Sequence, residues 1–144
     1  MPIIVCPNPI LSQVCQPVDH TDPRLPEIIA EMKRVMNLGD AGGPGQGLAA
    51  SQIGLTLCII VTRNGAYLNP TWTPWVGGDT ETKLEGCLSY PNRRFDVTRH
   101  KRINVKWTSL TGHAHTDKLA GLAARVWQHE VDHCQGINIW DNHA

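Results

Sequence analysis

The sequence predicts one α+β domain built around a mainly antiparallel sheet. Three observations carry that prediction: a helix-period apolar stripe near the N-terminus, a middle stretch of short strand-like segments between turn residues, and a second helical segment close to the end. The 144 residues suit a single domain over 1–144. With 41% hydrophobic residues, five of them Trp, the chain can build a real core. Thirteen Lys+Arg against thirteen Asp+Glu give no net charge, which argues against a nucleic-acid binder. The longest apolar run, Leu57–Val61, is far short of the ~20 residues that span a bilayer, so no membrane association is expected. Met1–Pro9 lacks the basic start and long apolar stretch of a signal peptide. Five cysteines without a Cys-x-x-Cys pair point to free thiols in a reducing, cytoplasmic compartment.

The elements follow in order. Asp22-Pro23 reads as an N-cap followed by a first-turn proline. Leu25, Ile28, Ile29, Met32 and Met36 then recur at spacings of three and four, predicting an amphipathic helix of about four turns. That helix dissolves in the glycine-rich run Leu38-Gly39-Asp40-Ala41-Gly42-Gly43-Pro44-Gly45-Gln46-Gly47. Leu55–Thr62 reads as a buried strand, Asn64-Gly65 as a hairpin turn, and Ala66–Pro70 as its return. Ile103, Val105 and Trp107 alternate with Arg102, Asn104 and Lys106, a half-buried strand. Thr111-Gly112 is another turn. The last helix is expected from Lys118 to Gln135, with Asp117 as N-cap and Gly136 just past its end. Leu122, Val126, His129, Glu130 and His133 share one side of it, expected to be buried.

Chemistry concentrates in Gln128-His129-Glu130-Val131-Asp132-His133. One helical turn brings His129 and His133 to the same face, so both imidazoles can reach one metal ion. Glu130 stands beside that face, placed to take a proton from water. A catalytic site of this type needs a third protein ligand. The candidates are Cys6, Cys15, Cys58, Cys87, Cys134, His113 and His115. Cys87 stands out, because Gly86 allows close backbone approach and Pro91 limits continuation of any regular element. Cys134 points about 100° away around the helix, Cys58 reads as a buried strand thiol, Cys6 and Cys15 lack a ligand-like context, and His113 and His115 can share a strand face and ligate but read better as part of a solvated turn. Gly45–Gly54 has neither a P-loop Lys nor a preceding strand, which excludes nucleotide binding. It reads as an extended rim where a peptide backbone can approach, with Gln52 offering its amide to a reacting carbonyl.

Three segments, Gly45-Gln46-Gly47-Leu48-Ala49-Ala50-Ser51-Gln52, Glu85-Gly86-Cys87-Leu88-Ser89 and Gln128-His129-Glu130-Val131-Asp132-His133, resemble the three motifs of peptide deformylases in order and spacing. Pro7-Asn8-Pro9-Ile10-Leu11 resembles that family's N-terminal Pro-Asp-Pro-x-Leu, and the likeness runs from about Ile3 to Ile139. It implies an α+β fold whose mainly antiparallel sheets pack around a central metal-binding helix. The implied activity is hydrolysis of the formyl group from N-terminal formylmethionine of nascent polypeptides, possibly at the ribosome. By the same resemblance Cys87, His129 and His133 hold one divalent ion, Fe2+ in the cell, with Zn2+, Ni2+ or Co2+ able to replace it. Glu130 then acts as general acid and base, and Gln52 and the Leu88 backbone N–H as oxyanion donors.

Gln46, Gly47 and Gly86 are implied to bond the substrate backbone. The resemblance likewise implies that Leu88, Leu122, Arg125 and Val126 line the methionine pocket, with Arg94 at its mouth. Arg125 departs from the usual apolar residue; its stem can line the pocket with the guanidinium outside, or the side chain can point to solvent. Glu85 and Arg99 are a candidate ion pair orienting the cysteine loop. Eleven residues follow His133. The resemblance is therefore to the short versions carried by bacteriophages, without the C-terminal helix that docks many bacterial members on the ribosome. A zinc endopeptidase would also carry His-Glu-x-x-His but usually adds a downstream His or Glu ligand. A non-catalytic binding module would have no need of Glu130 and Gln52.

Overall fold

A computed structural model describes residues 2–40 and 42–141; Ala41 of the glycine-rich run and the last three residues lie outside them. The first helix, α1 (Leu25–Leu38), buries Leu25, Ile29, Met32, Val35 and Met36, the predicted stripe with Val35 added and Ile28 only half-buried. It begins two residues later than the Asp22-Pro23 reading has it. The Asp22 carboxylate is taken up by the backbone N–H and guanidinium of Arg24, and Pro26 is the proline of the first turn.

Five strands form the main sheet: β1 (Gly47–Ala49), β2 (Ile59–Thr62), β3 (Gly65–Pro74), β6 (Arg102–Thr108) and β7 (Ala114–Ala120), in the spatial order β1-β2-β3-β6-β7. Every neighbouring pair is antiparallel. The period of two sorts β2 residues between the faces of the sheet. Ile59 and Val61 join Leu48 and Leu68 under α1, whereas Ile60 joins Ala49, Ile103 and Val105 under the second helix, α2 (Gly121–Cys134). From α2 come Ala124, Trp127, Val131 and Cys134. The sheet is thus covered by one helix on each side.

Several predicted boundaries move. The strand expected from Leu55 begins at Ile59, because the preceding residues bond the N-terminal segment instead: Gln16 N–H to Thr56 O and Cys58 N–H to Gln16 O. Thr62 faces Gly65, so the hairpin turns on Arg63 and Asn64, one residue before the expected pair. Lys118–Ala120 is strand rather than helix, since β7 pairs with β6 as far as Ala120 opposite Arg102. Asp117 accordingly sits in that ladder opposite Val105 and caps nothing. The chain turns from β7 into α2 at Gly121, whose φ of +61° lies in the left-handed region that glycine alone enters at no steric cost. Gly136 follows the end of α2 with φ +74°, as expected.

Two strands the sequence reading does not contain, β4 (Thr80–Cys87) and β5 (Tyr90–His100), form a separate antiparallel hairpin. Pro91 lies in β5, contrary to its reading as a breaker. It falls where register jumps from Cys87–Tyr90 to Gly86–Arg94, inside an excursion that needs no ladder N–H from it. Helix α2 packs against the main sheet and against β5, which brings the two sheets together along it. No helix among the described residues is long and apolar enough to cross a membrane.

Candidate active site

Helix α2 carries His129, Glu130 and His133, all buried. The two imidazole rings lie 5.1 Å apart, centroid to centroid. Cys87, the last residue of β4, points its Sγ to within 3.4 Å of His133 Nε2. Ligand atoms of Cys87, His129 and His133 all lie within 4.8 Å of one another, the only such group among the described residues. His129 Nδ1 donates to Glu85 Oε1 at 2.9 Å, which leaves Nε2 as the ring nitrogen available to a metal ion once it is deprotonated. Thiol and two imidazoles converging in this way form a donor set suited to Zn2+, Fe2+, Co2+ or Ni2+.

Glu85 is the hub behind the donors. It accepts both Arg99 Nε and Nη2 at 2.9 Å, as well as Arg125 Nη1 and His129 Nδ1. Arg99 Nη1 continues to Asp132 Oδ2 at 2.6 Å, which ties β5 to α2. Burial alone would raise the Glu85 pKa, but the hydrogen bonds from His129 and Arg99 prevail and bring it to about 2. Burial likewise disfavours the His129 imidazolium, yet Glu130, Cys87 and Glu85 raise it well above the ordinary value. His133 goes the other way: burial, with the His129 charge beside it, lowers it to about 3. Two imidazolium charges this close repel, so the two rings are not charged together.

Glu130 Oε1 is buried and makes no hydrogen bond within the protein. Burial pushes this carboxylate up to about 7, near the value that suits a general base in neutral solution. A Cβ on Gly47 would lie 2.8 Å from Glu130 Oε2 and 2.9 Å from Val126 Cγ1, so glycine there gives the carboxylate its room. Gln52 is oriented by its own backbone neighbourhood. Its Oε1 accepts Ala49 N–H at 2.9 Å, which turns Nε2 toward Ser89 Oγ at 3.0 Å and Cys87 Sγ at 3.6 Å.

These groups meet in a cleft of about 360 Å³. Its walls hold Gln46, Gly47, Gln52, Gly86, Cys87, Leu88, Arg94, Leu122, Arg125, Val126, His129 and Glu130, so every sequence-predicted site residue except His133 lines it. Leu122 is 63% exposed rather than buried, because it faces this open cleft. Arg125 is the main correction: its side chain is only 12% exposed, and the guanidinium goes neither outside nor to solvent but into the β4–β5 hairpin. The discarded ligand candidates lie elsewhere. Cys134 and Cys15 are buried in the core, Cys58 is half-buried beside them, Cys6 is half-buried near the N-terminus, and His113 and His115 are exposed. Sequence reasoning gave no role to Asp132, Ser89 or Gln128. Gln128 is buried and brackets His100, donating to its carbonyl at 2.8 Å and accepting its N–H at 3.0 Å. Its signal was available: a polar side chain on a buried helix face must find partners.

The family model for polypeptide deformylase matches residues 1–144. A protein named peptide deformylase from Phenylobacterium zucineum is 35% identical over 148 aligned positions, covering 97% of this chain and 85% of that one. The crystal structure of peptide deformylase from Thermotoga maritima superposes with a TM-score of 0.86 at 37% identity, over 96% of this chain and 94% of the other. The enzyme of the Vibrio parahaemolyticus bacteriophage VP16T, solved in complex with actinonin, gives 0.86 at 31% identity, over 96% of this chain and 100% of that one.

Proposed function

The chain belongs to the polypeptide deformylase family, and from that premise we propose that Cys87, His129 and His133 hold one divalent ion while Glu130, Gln52 and the Leu88 backbone N–H carry the hydrolysis of N-terminal formylmethionine. The observation that carries this reading is the convergence of three metal-type donors beside a buried carboxylate oxygen without a partner. When bound, the ion supplies Lewis acidity and a water acidic enough to react near neutral pH. Glu130 takes the proton of the attacking water and returns it to the departing amine, so formate and a free N-terminal methionine result. The Gln52 Nε2 donor is held in place before reaction by the Ala49 N–H on its Oε1. Such a preorganised donor meets the developing oxyanion without reorganisation. The donor set accepts Fe2+, Zn2+, Ni2+ or Co2+, and Fe2+ is the ion proposed in the cell.

Among the described residues strand β1 pairs only with β2, so its other edge is open. An extended nascent peptide adds there, between Gln46-Gly47 and Gly86. The first side chain enters the cleft between Leu122, Val126 and Arg94. Since the substrates are nascent chains, the proposed setting is the cytoplasm, close to translating ribosomes. The test is formate release from formyl-Met peptides by anaerobically purified protein of measured metal content. Glu130→Gln is expected to keep its metal and lose about 10²–10⁴ in kcat. Formate release by this variant at the unsubstituted rate would remove Glu130 from the reaction. Binding of actinonin, in competition with a formyl-Met peptide, checks that the cleft is the one used.

A further inference from the structure

Arg125 is one helical turn before His129 on α2 and is spent entirely on groups of the facing hairpin. It donates to Glu85 Oε2, to Val97 O at 3.0 Å and to Glu81 O at 2.7 Å. Glu81 and Glu85 belong to β4 and Val97 to β5, so one guanidinium spans both strands. Arg99 grips the other side of Glu85 from β5 and crosses to Asp132 on α2. The carboxylate that orients His129 is thereby held by two guanidinium groups. Glu85 is two residues before Cys87 on the same strand, so what fixes Glu85 against α2 also fixes the thiol against the imidazoles. A point charge cannot reproduce this, because the planar fork reaches a carboxylate and two carbonyls at once.

We propose that Arg125 is a positioning residue of the metal centre: by clamping Glu85 and the β4–β5 hairpin onto α2, it sets the separation of Cys87 from His129 and His133. The inference rests on the metal reading of these three residues. Partners of this kind, one step behind the ligands, typically govern metal affinity by 10–100-fold.

The test is Zn2+ affinity, measured by competition with a chromogenic chelator, for the unsubstituted protein, Arg125→Met and Arg125→Lys, alongside thermal melts of the metal-free proteins. Arg125→Met is expected to bind Zn2+ about 10–100-fold more weakly. Arg125→Lys, which can meet Glu85 but not both carbonyls as well, should fall between the two. Failure of the unsubstituted protein to bind Zn2+ would sink the metal reading itself. Tight binding there with unchanged affinity in Arg125→Met would overturn the positioning role alone, as would a lowered metal-free melting temperature without any loss of affinity. Should Arg125→Met not melt cooperatively, Arg125→Lys decides: an affinity equal to the unsubstituted protein's overturns the proposal.

Discussion

Gly47 is a residue whose missing side chain matters more than any it could carry. Its Cβ position is occupied, at under 3 Å, by Glu130 Oε2 and Val126 Cγ1. Alanine there must push the carboxylate aside, and a displacement of about 1 Å of a reacting group commonly costs on the order of 10²-fold in rate. Gly47→Ala is therefore expected to lower kcat by about that factor with metal content unchanged, measured by formate release beside metal analysis. An unaffected kcat would show that Glu130 works from another position. At this scale the sequence was most legible where chemistry alone selects a residue. His129, Glu130 and His133 follow from helical spacing, and Cys87 stood out among five cysteines by its neighbours. Arg125 was misread because its partners, Glu85 and the carbonyls of Glu81 and Val97, are contributed by strands 28 to 44 residues away. Periodicity carries no information about such partners.

At the scale of elements, the hairpin β4–β5 was invisible for a physical reason. Of its strand residues, Glu85, Phe95 and Arg99 are the buried ones, and two of these three are charged. A two-stranded sheet that buries an ion pair leaves no alternation of apolar residues to read. β6, by contrast, alternates Ile103 and Val105 against Arg102 and Lys106, and its buried and exposed faces were read correctly. The β7–α2 corner shows the converse error, where a helix pattern was extended backwards through strand residues. Gly121 was the signal that this overlooked. A Cβ at Gly121 would meet nothing within 4 Å, so substitution is costly through its φ of +61° and not through packing. Gly121→Ala should thus destabilise by about 1–2 kcal/mol. It should lower the melting temperature by a few degrees while Zn2+ affinity stays within about threefold. A melting temperature equal to that of the unsubstituted protein would mean the corner relaxes without glycine.

For the whole molecule, the site is a seam between two bodies of unequal strength. The main sheet is sandwiched by α1 and α2, whereas the β4–β5 hairpin is a two-stranded sheet, which is marginal when it stands alone. Its attachment to α2 is largely electrostatic, through Glu85, Arg99, Asp132, Arg125 and the bonds of Gln128 to His100. The Glu85 pKa, about 2 in the folded chain, lies below its ordinary 4.5. Its contribution is complete above about pH 4.5 and disappears as the pH falls toward 2. Acid should accordingly loosen the hairpin within that window, read as a fall in melting temperature that Glu85→Gln reduces. A bound ion adds the one further link between Cys87 on the hairpin and the two histidines on the helix, and a ligand that binds only the joined state stabilises it in proportion to the logarithm of its concentration over Kd. Stripping the metal should then act locally before it acts globally. Amide hydrogen exchange is expected to rise in Thr80–His100 of chelator-treated protein, with β2, β3 and β6 still protected. Loss of protection spread evenly over both sheets would show instead that hairpin and body unfold as one unit, and that the metal supports the fold as a whole.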